Sequence, residues 1–292
     1  MTKISESFRT EAEVTFGHLI LLIGISILLG VFAGMFFVPL SKLAIQDKVY
    51  QSILSGALVS LSSFLAAPFV LKGFFLTKRE PFYIRFSKPL LSISMAVRAL
   101  VLMLLMLPAA SLLGWVMSQI PIPEAIRPVQ EEVEKETLML LDENRPIGIA
   151  LIFFFLTLVA PFSEEYFFRG GLLGWFLAKS RRTHLWVWLI GLIFSLAHFE
   201  WNGLLARWLM GAVLGYIAVY GGLPMAILTH ALNNLFVYVY YKFTGMQDPF
   251  LVENADPSSL YFILFVLVAL ATLISLFLLI SQLNKLPETR SR

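Results

Sequence analysis

An all-α bundle of about eight membrane-spanning helices is the fold class this sequence predicts, and three observations predict it. Hydrophobic residues make up 58% of the 292 positions and charged residues only 14%. The mean hydropathy of +0.81 lies far above that of a soluble globular domain. The apolar residues fall into runs near the roughly 20 residues that cross a hydrocarbon core as a helix. Such runs lie near 16–41, 52–76, 92–118, 147–178, 185–200, 203–221, 224–242 and 259–283. No internal repeat, low-complexity tract or linker divides them, so residues 1–292 read as one membrane domain.

The first run, Leu19 to Leu40, is too long for a signal peptide and no Ala-x-Ala-like site follows, so it is expected to remain as an anchor. Lys72, Lys78, Arg79, Arg85 and Lys88 follow the second run, and Lys179, Arg181 and Arg182 the fourth. Basic residues collect in cytoplasmic loops, so both loops are expected inside. Lys3, Arg9, Lys285, Arg290 and Arg292 place both termini there too. Between runs three and four, an acidic helix-prone segment at 124–143 carries Val129, Val133, Leu138 and Leu141 loosely on one side. It reads equally as an interfacial helix or a solvated connection, on the outer side.

Function classes narrow by what the chain lacks. There is no cysteine, which removes disulfides, thiolate metal ligands and a thiol nucleophile. A net charge of +3 gives no case for a nucleic-acid partner. No G-x-S-G, G-x-G-D or H-E-x-x-H occurs, which argues against serine and aspartic intramembrane proteases and against a zincin.

The fourth run ends in APFSEEYFFRGG, with Glu164 and Glu165 adjacent and Arg169 one turn beyond. Ionisable side chains at membrane depth are costly unless paired or wetted, so they mark a functional site by default. Glu164 and His198 both lie about 20 Å from the basic turn that joins their helices, so antiparallel packing brings them level. His230 and Asn234 are four residues apart on one helix face, roughly 12–18 Å beyond the turn at 221–224. Neighbouring helix residues point about 100° apart, so only one glutamate can face His198 squarely. Arg169 stands at i+4 from Glu165 and is suited to pair with it. Interhelical packing is the competing account of these polar groups. Arg98 and Arg207 read as structural or snorkelling, and His18 and His184 as interfacial.

Taken in order, E-E-x-x-x-R at Glu164, Glu165 and Arg169, F-x-x-x-H at Phe194 and His198, and H-x-x-x-N at His230 and Asn234 resemble the CAAX protease and bacteriocin-processing family, the type II CAAX prenyl endopeptidases. The resemblance covers about 147–242, the motif-bearing core. It implies an intramembrane endopeptidase of glutamic type, with Glu164 as general base, His198 as its partner, and His230 and Asn234 as the oxyanion-stabilising pair. Glu165, Arg169 and Phe194 take supporting places, with Phe194 packing against His198 or the substrate.

No cofactor is expected. The alternative is a divalent metal such as zinc on Glu164, His198 and His230. The implied partners are the lipid bilayer and a protein or peptide substrate, prenylated C-terminal CAAX proteins being one class. The expected location is the cell membrane of a prokaryote, with multiple spans. A non-catalytic scaffold or bacteriocin-immunity protein of the same fold is the alternative function, and a transporter the third.

Overall fold

The computed structural model describes residues 16–75, 93–180, 182–245 and 257–283. Among them the chain forms nine helices: α1 (Phe16–Ala44), α2 (48–75), α3 (Ile93–Ser118), α4 (Arg127–Leu141), α5 (146–179), α6 (Thr183–Leu196), α7 (Leu204–Gly221), α8 (Leu223–Thr244) and α9 (Leu260–Leu283). Eight are the expected spans, and the all-α prediction holds. Six segments, on α1, α2, α3, α5, α7 and α9, are long and apolar enough to cross a membrane by length and composition alone. α6 has only 14 residues. α8 is diluted by His230, Asn233, Asn234, its tyrosines and Lys242, residues spent on polar contacts rather than on lipid.

Local chemistry sets the helix ends. Asp47 caps α2 by accepting from the Val49 and Tyr50 amides at 3.0 and 3.2 Å, filling two donors a helix start leaves open. Pro224 opens α8 just after Gly222, whose φ of +87° makes the one-residue reversal from α7 that a side chain would resist.

Two clusters of contacts define opposite ends of the bundle. At one end, Arg145 bridges Asp47 and Glu143, Tyr241 donates to Asp142 at 2.6 Å, and Trp115 packs on Phe262. At the other, Phe16 meets Trp175, Phe176 stacks on Trp186, and the His184 ring bonds the Tyr216 hydroxyl at 2.7 Å. Lys179, from the second expected basic loop, closes α5 at this end. Residues 3, 9, 78–88, 181 and 285–292, also part of that expectation, lie outside the described residues. Leu28 and Phe277, on α1 and α9, are 70% and 72% exposed, as lipid-facing surface requires.

The 124–143 segment forms a helix rather than a free solvated connection. α4 spans Arg127–Leu141 and packs across α2 and α8, with Leu140 and Leu141 against the small cluster of Ile53, Ile152 and Tyr238. Its acidic face, including Glu131, Glu132, Glu134 and Glu136, remains outward.

The centre of the bundle is a close crossing of α6 and α7. A Cβ on Gly191 would lie 2.8 Å from the Ala212 amide, and one on Gly211 would lie 2.8 Å from Gly191. Small residues let the backbones touch, which is how helices associate where lipid removes the hydrophobic drive.

Candidate active site

α5 is not a regular helix around its two glutamates. Phe155–Val159 and Tyr166–Leu173 are π-helical, and the short α-helical stretch Ala160–Glu165 lies between them. Such widened turns leave backbone groups unpaired and recur at functional sites. Here the cause is legible: the Ala160 amide donates to Phe155 O, so Leu156 O must look one residue further, to Pro161, which has no N–H. Asn234 of α8 supplies the missing donor, its Nδ2 standing 3.0 Å from Leu156 O. Below it, Ser163 Oγ meets Ser60 Oγ of α2 at 2.7 Å, tying the glutamate-bearing turn to a second helix.

The adjacent glutamates have opposite surroundings. Glu165 and Arg169 side chains are both 0% exposed, with Arg169 Nη1 donating to Glu165 Oε1 at 2.8 Å. Arg169 Nη2 donates to Gly211 O of α7 at 2.9 Å, beside the α6–α7 crossing. The guanidinium carbon lies 4.4 Å from the centroid of the Phe194 ring. Glu164, by contrast, is 14% exposed and His198 30%, so this pair can be reached from outside. One carboxylate is locked in protein; the other faces a space.

His230 stands between them. Its Nδ1 lies 2.9 Å from Glu165 Oε1, and since the ionised carboxylate only accepts, Nδ1 is the donor. Its Nε2 points to Glu164 Oε2 at 4.0 Å. His198 repeats the design: Nδ1 donates to Phe194 O at 2.8 Å, which leaves Nε2 facing Glu164 Oε2, again at 4.0 Å. Two imidazole Nε2 atoms and one carboxylate oxygen thus surround a gap too wide for direct hydrogen bonds and wide enough for one bridging water.

Phe194 is the floor of this space. It is fully buried and meets His198, His230 and Phe168 edge-on, at centroid distances of 4.8, 5.8 and 5.3 Å. The structure therefore brings Glu164, Glu165, Arg169, Phe194, His198 and His230 into direct mutual contact or across one small gap. Asn234 joins through the π-helical carbonyl, using one of its two amide hydrogens.

One expectation needs correction. The fifth span was expected to run to residue 200, but α6 stops at Leu196 and His198 sits in the turn after it. Phe199, at φ +52°, takes a left-handed conformation that a helix cannot contain. Arg207, expected to be structural or to snorkel, takes the structural role: from α7 it pairs with Glu200 of the preceding turn.

Sequence reading missed Gly211, whose carbonyl holds Arg169, together with Ser60, Ser163 and the Leu156 carbonyl. Pro161 inside an apolar helix was the available signal for the last of these. For a metal, the donors have the right chemistry, since the Nε2 of a neutral imidazole carries a lone pair. Tetrahedral zinc with bonds of about 2.0–2.1 Å spaces its ligands at about 3.3–3.5 Å, less than the 4.0 Å gaps here. Among the described residues no three His, Asp or Glu side chains form a metal-ready group.

A multi-helix membrane protein with a carboxylate and two imidazoles facing one small interior gap is the class that fold and site define. Within it, residues 146–236 match the model of a family described as Rce1-like, the type II CAAX prenyl endopeptidases. The match takes in all three motifs, from α5 to Phe236 on α8, in agreement with the resemblance drawn from the motifs alone. No curated protein and no solved structure matches the chain.

Proposed function

We propose that the protein is an intramembrane endopeptidase in which Glu164 and His198 activate water directly. The observation that carries the proposal is the gap of 4.0 Å from Glu164 Oε2 to both His198 Nε2 and His230 Nε2. A water there hydrogen-bonds through one proton to Glu164 and through the other to His198 Nε2, which is free to accept because Nδ1 is held by Phe194 O. Its oxygen lone pair is left to attack a peptide carbonyl, and Glu164 takes the proton as the bond forms. As the tetrahedral intermediate collapses, Glu164 passes that proton to the leaving amine.

The developing oxyanion needs donors. His230 offers Nε2–H in its imidazolium form, and the Glu165 carboxylate at Nδ1 balances that charge. With Arg169 also cationic, two carboxylates and two cations then sum to zero in a medium where net charge is expensive. Asn234 retains one amide hydrogen after bonding Leu156 O. Such donors contribute on the order of 3 kcal/mol each in a water-poor site.

The substrate is a peptide or protein that reaches the gap through the bilayer, and prenylated C-terminal CAAX sequences are the first class to offer it. The chain's home is the cell membrane of a prokaryote. Fluorogenic peptides, farnesylated CAAX sequences among them, should be cleaved by the purified protein and not by Glu164→Ala. Cleavage that survives a strong chelator supports direct water activation, whereas chelator-sensitive cleavage revives a metal on Glu164, His198 and His230. Equal turnover by both proteins would remove Glu164 from the mechanism, and turnover by neither would favour a non-catalytic scaffold.

A further inference from the structure

The turn that carries His198 is held from outside the matched segment. Residues 197–203 join α6 to α7, and Phe199 adopts its unfavourable left-handed backbone directly after His198. Two contacts bind this turn to its own helices: Ser195 Oγ donates to Leu204 O at 2.6 Å, and Arg207 pairs with Glu200. Two others come from elsewhere. Gln130 Oε1 accepts the Trp201 backbone N–H at 2.6 Å, and the Trp201 indole donates to Ile120 O at 3.3 Å. Gln130 is 2% exposed on α4, a helix whose neighbouring acidic residues face outward. A lone buried amide on a polar helix, spent on one backbone donor three residues from His198, has a specific task.

We propose that Gln130 is a positioning residue: through the Trp201 amide it fixes the strained turn and so sets the distance from His198 Nε2 to Glu164. The Nδ1 bond to Phe194 O orients the imidazole ring only relative to α6. Where the His198 Cα sits depends on the backbone that follows, which would relax toward ordinary φ values if Trp201 were released. A buried N–H without an acceptor is costly, so the turn would move to find another. Displacement of a catalytic group by about 1 Å can cost on the order of 100-fold in rate. The catalytic consequence rests on the proteolytic reading above; the structural one does not.

Two variants of the full-length protein separate this role from simple packing. Gln130→Met keeps the volume and loses the acceptor, while Gln130→Glu keeps an acceptor for the Trp201 amide. Hydrogen exchange of peptides covering 197–204 is measured in detergent alongside kcat and KM on a peptide the wild type cleaves. In Gln130→Met, exchange should quicken about 10-fold or more, and kcat should fall about 10-fold or more with KM held within about 3-fold. Gln130→Glu should restore both to within about 3-fold of wild type. Unchanged exchange in Gln130→Met, looser exchange with full kcat, or a Gln130→Glu variant no better than Gln130→Met overturns the proposal. If the wild type cleaves nothing, the proteolytic reading fails separately, and exchange alone decides whether Gln130 holds the turn.

Discussion

Two arginines hold this bundle together, and they do so under opposite conditions. Arg169 sits in the centre, joining Glu165 of its own helix to the Gly211 carbonyl of α7, with neither charged side chain exposed. Arg145 sits at the outer end, joining Asp47 before α2 to Glu143 before α5, and its side chain is 49% exposed. Both link several helices through carboxylates. Removing a partner from the dry cluster leaves a stranded charge with no water to replace it, whereas the outer cluster can be rescued by solvent. The dry cluster is therefore the one able to fix the geometry of His230, and the outer one serves as a staple.

The largest expected effect tests which glutamate does chemistry. Glu164→Gln should lower kcat on the order of 10³-fold, with little change in thermal midpoint because Glu164 makes no direct hydrogen bond to either histidine. A variant that melts early instead would make Glu164 a structural residue like its neighbour.

Next is Arg169→Met, expected to destabilise the protein by about 3–5 kcal/mol through the unpaired Glu165 carboxylate. The double variant with Glu165→Gln should recover part of that loss, since no buried charge is then left alone. Thermal melts in detergent read both, and strict additivity would contradict the coupled cluster.

Asn234→Ala should cost about 1–3 kcal/mol, because Pro161 denies Leu156 O any helical donor. Its activity should fall more than its stability alone explains if the remaining amide hydrogen serves the oxyanion. Loss of activity in proportion to unfolded protein would restrict Asn234 to the helix–helix lock.

The smallest effect belongs to Arg145→Ala, read as thermal midpoint against pH. The Arg145 guanidinium holds the Asp47 carboxyl down from 3.8 to about 2 and the Glu143 carboxyl from 4.5 to about 2. Groups with depressed values stabilise the fold above their unfolded values and lose that contribution as pH falls through the folded ones. The gap between wild type and variant should be full above about pH 5 and close towards pH 2. A gap constant across that range would assign the stabilisation to packing of Arg145 on Tyr50, 4.7 Å from its ring centroid, rather than to charge.

Much of the arrangement was legible in the chain because membrane burial makes polar residues conspicuous. Equal helical distances from the 179–182 turn put Glu164 level with His198, and their side chains do face each other across 4.0 Å. The i to i+4 spacing of Glu165 and Arg169 likewise foretold their pair. His198 was placed on a span because its flanks are apolar, and nothing in FSLAHFEW announces that Phe199 takes a left-handed backbone. Gln130 was invisible among the four glutamates of α4, since a single amide in an acidic helix carries no sign of what its oxygen accepts.

By itself the sequence determined an all-helical membrane bundle, the order of its spans and the residues gathered at its centre. It could do so because apolar run length and residue spacing along a helix are properties of one segment at a time. Only the tertiary structure decided that His230 bridges two glutamates, that Asn234 satisfies a carbonyl orphaned by Pro161, and that α4 grips the turn of His198. Each of these is a contact between backbone or side-chain atoms of separate elements, so no pattern within a single segment contains it.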